Sequence, residues 1–284
     1  MGLTKPRKKG TATDVSSDHD ASDAHDFVKN HLQPEANVKK FWTASRAERL
    51  EGLGTCREYV TEYPILSTVK GYEYFLEDFE EEFPEHHSFI ENWSKINREL
   101  TAYGLSKNER YFKNLQKEVH EELMGLHVLG FHLAMSSYTS CETNPDGTKR
   151  KRNKCTKQEV LNALFIYTRD NRLLLEEVAK YFSKRDKAPI LAFVGKSKLN
   201  LSEFYVAVDK DVLYSFENVN QTLDAYMKIC IICKKTYPVV TAPVWTYIQK
   251  YVFQIDDSSD KFLSVFDLHN KITVFIEHEN SEDE

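Results

Sequence analysis

The residues of this chain that could do chemistry fall in a few short stretches. The first is Gly195-Lys196-Ser197 at the end of the apolar run "PILAFVG". A phosphate-binding loop has the form Gly-x-x-x-x-Gly-Lys-Ser/Thr, whose backbone N–H groups wrap phosphates ahead of a helix N-terminus. Counting back from Gly195, the first glycine belongs at 190, where Ile190 stands. Leu191, Ala192, Phe193 and Val194 lie between, and they favour a buried strand over a loop. The next residues, "KLNLSEFYVAV", lead towards another strand. Gly195-Lys196-Ser197 is therefore expected to be a turn between strands.

The second stretch, "VHEELMGLH" (119–127), has a metalloprotease-like His120-Glu121, but Met124 occupies the place of the second ligand. His120 and His127 are seven residues apart, about 10 Å of helical rise, which is too far for one small tetrahedral ion. His132 would lie about 140° around a helix from His127. Structural histidines are the expectation. Cys230-Ile231-Ile232-Cys233 is a lone CxxC, the only metal-ligand candidates being Cys230 and Cys233 themselves. They fall late in an apolar helix, whereas a reactive pair needs an exposed helix N-terminus. The other cysteines are Cys56, Cys141 and Cys155. Cys141 and Cys155 are too far apart to supply a second pair, so buried thiols are expected. The acidic run "EDFEEEFPE" (77–85) reads as a solvated face opposite aromatic core positions. His19 and His25, set among aspartates, read as part of a solvated tail. No cofactor or catalytic residue is assigned.

"KRKRNK" (149–154) is the most functional-looking segment. Lys149, Arg150, Lys151, Arg152 and Lys154 concentrate positive charge after the turn signal Asn144-Pro145-Asp146-Gly147. Nuclear import, phosphate-backbone contact through counterion release, and simple solvation all remain open. No aromatic residues interleave to stack on a single strand.

The elements that must carry these residues are mostly helices. The chain has 284 residues, 41% of them hydrophobic, enough for one sizeable core or two small ones. A net charge of −6 argues against a general nucleic-acid coat without excluding a local basic patch. Residues 1–37 are polar and charged, and are expected to be disordered. Residues 38–135 read as a helical region. Its first helix would start at a Thr43/Ser45 cap and end before Pro64. Next come "GYEYFLEDFEEEFP", a helix with Phe89, Ile90, Trp93 and Ile96 on one stripe, and a long helical pattern from Lys107 to Tyr138. Residues 136–157 form the basic loop, and Thr156 with Glu159 makes a capping box. Two short helices, "KQEVLNALFIYTRD" and "LLLEEVAKYFSKR", come next. A small antiparallel β-meander spans about 189–216, its hairpin turning at Asp209-Lys210-Asp211. Helices resume to about 276, and 277–284 is an acidic, frayed tail. The fold class is α+β, predominantly α-helical. No stretch has the roughly 18 apolar residues of a membrane helix, and no apolar signal segment opens the chain. An intracellular, reducing compartment is expected, with free thiols and no membrane partner.

Two stretches carry a resemblance. "CREYVTEYPILSTVKGYEYFLEDFEEEFP" joins a helix, a Tyr-Pro-x-Leu step and an aromatic helix. "LSEFYVAVDKDVLYSFENVNQTLDAYMKICIICKKTYPVVTAPVWTYIQKYVFQI" joins a hairpin, a helix, a Tyr-Pro step and an aromatic helix. In order and spacing, from about residue 42 to 256, this resembles the C-terminal region of the sterile alpha motif domain-containing protein 3-like animal proteins. The first 37 residues are too few and too polar to be the sterile alpha motif. The resemblance implies an intracellular protein without an established enzymatic activity, and supplies no site residues. Copy number in some animal genomes, similar to mobile-element spread, keeps a DNA-linked reading open. The expected function is a non-enzymatic protein-interaction module, nuclear or shuttling. Its working surface would be a helical face or a sheet edge. The alternative is a nucleic-acid-binding accessory protein using 149–154.

Overall fold

A computed structural model describes residues 17–139, 152–183, 188–257 and 262–282. The chain divides into two compact units, Met1–Gly52 and Leu53–Glu284.

The described part of the first unit is helical: α1 (Ser17–Asn30), α2 (Glu35–Ala44) and α3 (Arg46–Glu51). Residues 1–16 lie outside the described residues. Over 17–37, where disorder was expected, the chain instead forms α1 and the start of α2. The reason is a sparse apolar spacing, with Ala24 and Val28 on α1 and Val38 and Trp42 on α2 all buried. The rings of Phe27 and Phe41 stand 4.6 Å apart. Arg49 lies 3.4 Å from the centre of the Trp42 ring and donates from Nη2 to the Trp42 carbonyl at 2.8 Å. The expected Thr43/Ser45 start holds in part: Ser45 is the residue from which α3 begins, but neither hydroxyl caps it. Both side chains instead donate back one turn into α2, to Lys39 O and Phe41 O.

The second unit begins with α4 (Cys56–Glu62), started by a Thr55/Glu58 capping box and stopped before Pro64. A 3-10 turn at Pro64–Ser67 leads to α5 (Gly71–Glu82). Next are α6 (Phe89–Lys107) and α7 (Glu109–Leu115). On α6 Phe89 and Trp93 are buried, but Ile90 is exposed, contrary to the expected stripe. The single long helix expected beyond Lys107 is also broken. After α7 the chain turns, the His120 N–H bonds to Lys198 O at 2.9 Å, and a 3-10 turn (Glu121–Leu123) precedes α8 (Met124–His132). Helical periodicity continued across this break because buried residues resume on α8.

Within the expected basic loop, β1 (Ser137–Thr139) pairs antiparallel with β2 (Arg152–Lys154). Residues 140–151 lie outside the described residues. Thr156 and Glu159 form the capping box read from the sequence, starting α9 (Lys157–Asn162). The segment "FIYT", expected to be helix, is instead β3 (Phe165–Thr168). After α10 (Asn171–Ser183), β4 (Ile190–Gly195) runs parallel to β3. Parallel strands require a crossover of a dozen or more residues, and α10 supplies it. β5 (Leu201–Asp209) and β6 (Val212–Phe216) add antiparallel, the turn lying at Lys210-Asp211. The meander is thus part of a mixed sheet of order β3-β4-β5-β6.

β4 is buried along its whole length. Ile190, Ala192 and Val194 pack with Ala207 against Leu174, Val178 and Phe182 of α10. Strand alternation turns Phe193 to the other face, where its ring meets Phe165 at 5.3 Å and Phe204 at 6.2 Å. α11 (Val219–Ile232) packs over β4 and β5 and lies against α5. The chain ends with α12 (Ala242–Tyr251) and α13 (Leu263–Glu282). The expected frayed tail is therefore helical through Glu282. The fold is α+β and predominantly helical, with a four-stranded mixed sheet among the described residues.

Candidate functional site

The sequence-predicted residues do not gather in one place. Gly195 ends β4, and a Cβ there would stand 2.3 Å from the Asn200 carbonyl oxygen. Glycine is required because the chain turns back tightly through 196–200 into β5. The residues that would have to wrap phosphates, 190–194, are central strand.

The three histidines lie in separate surroundings. His120 caps the Glu121–Leu123 turn, its Nδ1 accepting the Glu122 N–H at 3.4 Å. His127 is buried on α8 against Phe165, and neither ring nitrogen has a hydrogen-bond partner. Burial, then the nearby Lys198 ammonium, pushes its pKa down to about 4. His132 sits between the rings of Tyr103 and Phe131, its pKa likewise lowered to about 4 by burial and then Lys157, Lys107 and Lys271. Among the described residues no group of three His, Cys, Asp or Glu side chains is placed to hold a metal ion.

Cys230 and Cys233 are fully buried at the end of α11. Burial pushes both thiols well above their usual range, and Cys56, at the start of α4, raises them further. The thiol that approaches the CxxC pair is thus Cys56, a neighbour set by tertiary packing that no spacing announced. Cys155 is a free, part-exposed thiol, and Cys141 lies outside the described residues. In the acidic run, Glu81 and Glu82 are exposed, but Asp78 is buried and accepts the Tyr59 hydroxyl at 3.0 Å. His25 meets Glu48 at 3.0 Å; the His19 side chain lies outside the described residues. Of the basic segment, Lys149, Arg150 and Lys151 lie outside the described residues, as does the Arg152 side chain. Lys154 is exposed on β2.

Two concave surfaces of the second unit were not foreseen. A groove of about 470 Å³ runs beside the edge strand β3. Its apolar lining includes Ile166, Ile190, Pro238 and Val240, with Glu177 and Lys180 charged at its side. The second is a cleft of about 880 Å³ lined by α6, the 116–124 segment, the turn at 199–200 and the start of α11. Here Asn97 anchors the wall, donating to Glu121 O at 3.0 Å and accepting the Gly125 N–H at 2.6 Å. Asn220 Nδ2 donates to Glu122 Oε1 at 2.7 Å. Burial raises the Glu122 pKa, with His120 opposing. These partners are 98 residues apart in sequence, so only a signal of long-range pairing could have found the cleft.

No family model, curated protein or solved structure matches this chain.

Proposed function

We propose that this chain is a non-enzymatic protein-interaction module that takes an extended peptide along the outer edge of β3. The observation that carries this reading is the coincidence of a sheet edge with an apolar groove. Among the described residues, β3 is paired to β4 on one side and ends the sheet on the other. An added strand would satisfy the outward backbone groups, and alternate side chains would enter the groove at Ile166, Ile190 and Val240. Glu177 and Lys180 beside the groove would favour a peptide with charges of both signs. Kinship with the sterile alpha motif domain-containing protein 3-like proteins and nuclear residence belong to the same proposal, the latter resting on Lys149, Arg150, Lys151, Arg152 and Lys154.

Selection of peptides from a displayed library against the purified chain tests the edge reading. Binders should show alternating apolar residues, slow amide exchange at 165–168, and lose affinity with Ile166→Glu. Binders that leave 165–168 unprotected, or no binders at all, would sink it. Deletion of 149–154 should abolish nuclear accumulation and leave peptide binding intact. The alternative, a nucleic-acid accessory role, gains from the same basic residues. It requires DNA binding whose steep salt dependence flattens when those charges are neutralised.

A further inference from the structure

We propose that the cleft between α6 and the 199–200 turn binds a small zwitterion, a free amino acid or short peptide, with its carboxylate at Arg98 and its ammonium at Glu122. Both signs of charge line one cavity. On the α6 wall, Arg98 is exposed and, among the described residues, its side chain makes no ion pair or hydrogen bond, so its guanidinium is free to take a carboxylate in two parallel bonds.

The opposite wall is acceptor-rich. Glu122 gives one carboxylate oxygen to Asn220 Nδ2. Asn220 Oδ1 is enclosed and has no hydrogen-bond partner in the protein. An ammonium carries three donors, and the Glu122 carboxylate is the acceptor it can reach, the Asn220 oxygen being closed off from the cleft. His120 adds direction. With Nδ1 accepting the Glu122 N–H at 3.4 Å, Nε2 is the ring nitrogen left to donate. Leu105, Val119, Met124 and Leu199 supply an apolar lining for a side chain. A cavity of about 880 Å³ has room for an amino acid or a short peptide. The wall itself is braced by the Asn97 bonds, and by the His120 N–H to Lys198 O bond that holds the turn against it.

The experiment is calorimetric titration and thermal-shift screening of the full chain against the standard amino acids and a set of di- and tripeptides, each also as its carboxamide and its N-acetyl derivative. At least one free zwitterion should bind and raise the melting temperature, and both capped forms should bind about tenfold or more weakly. Arg98→Ala should lower affinity for the free acid and abolish its preference over the carboxamide. Glu122→Gln keeps the Asn220 bond and should abolish the preference over the N-acetyl form. Arg98 is exposed, so its replacement leaves the fold intact, which an unchanged melting temperature without ligand would verify. No binding by any free zwitterion, equal binding of capped and free forms, or an Arg98→Ala protein that still prefers the acid would each overturn the assignment.

Discussion

At the scale of single residues, His127 shows how burial alone sets chemistry. Its ring nitrogens have no hydrogen-bond partner, so its neutral form is the one the interior tolerates. With its native pKa near 4 against an ordinary value of 6.5, the unfolded chain binds a proton that the native chain does not over that interval. Stability therefore rises with pH between about 4 and 6.5 and is flat above, and this one group is worth about 3 kcal/mol at the acid end. His132 acts in the same direction. Replacing His127 with Leu should flatten part of that slope, read as denaturant midpoints at neutral pH and at pH 5. An unchanged slope would mean the ring is solvated. The thiols obey the same rule. Cys155 should react with a thiol reagent in the native protein, while Cys230 and Cys233 should react only as the molecule unfolds. Equal labelling rates would contradict their burial. Of these residues, the sequence showed the types and the apolar context. It could not show that Cys56 would come to lie beside Cys230 and Cys233, because that contact joins the start of α4 to the end of α11.

At the scale of elements, local signals worked where local physics decides. The Thr156/Glu159 box, the stop before Pro64 and the Lys210-Asp211 turn all depend on neighbours within a few residues, and all were readable. Thr156→Ala should cost about 1 kcal/mol in urea unfolding, since it removes the cap from the Glu159 N–H. β3 was missed for the opposite reason. "FIYT" is too short to show a period, and it comes after a good helix start; it becomes a strand because β4 offers it a partner. Phe193, at the centre of that pairing, packs on Phe165 and Phe204. Phe193→Ala should destabilise by about 3–5 kcal/mol with an unchanged denaturant slope. A loss below about 1 kcal/mol would show that the sheet repacks around the gap.

At the scale of the whole molecule, the division at Gly52 predicts that residues 53–284 hold their own core. Expressed alone, that segment should give a single cooperative thermal transition and keep the described strands and the helices from α4 onward, losing only the helix signal of α1–α3. A molten, non-cooperative product would show that the first unit is needed to complete it. Its interior includes Lys228 of α11, bonded to Glu80 of α5 at 2.7 Å and to Asp224 one turn back on α11 at 3.1 Å, which adds a charge contact to the packing of α5 on α11. Composition, apolar periodicity, caps and turns determined by themselves that this chain would be a mainly helical α+β protein with a hairpin near 209–212. They also determined that Gly195-Lys196-Ser197 would be a turn, because these properties act over a turn of helix or a pair of strands. Tertiary structure alone decided the parallel strand, the break before α8, the thiol neighbours and both concave surfaces. Each depends on groups brought together from distant parts of the chain, whose meeting is set by packing free energy summed over the whole core and leaves no mark at any one position.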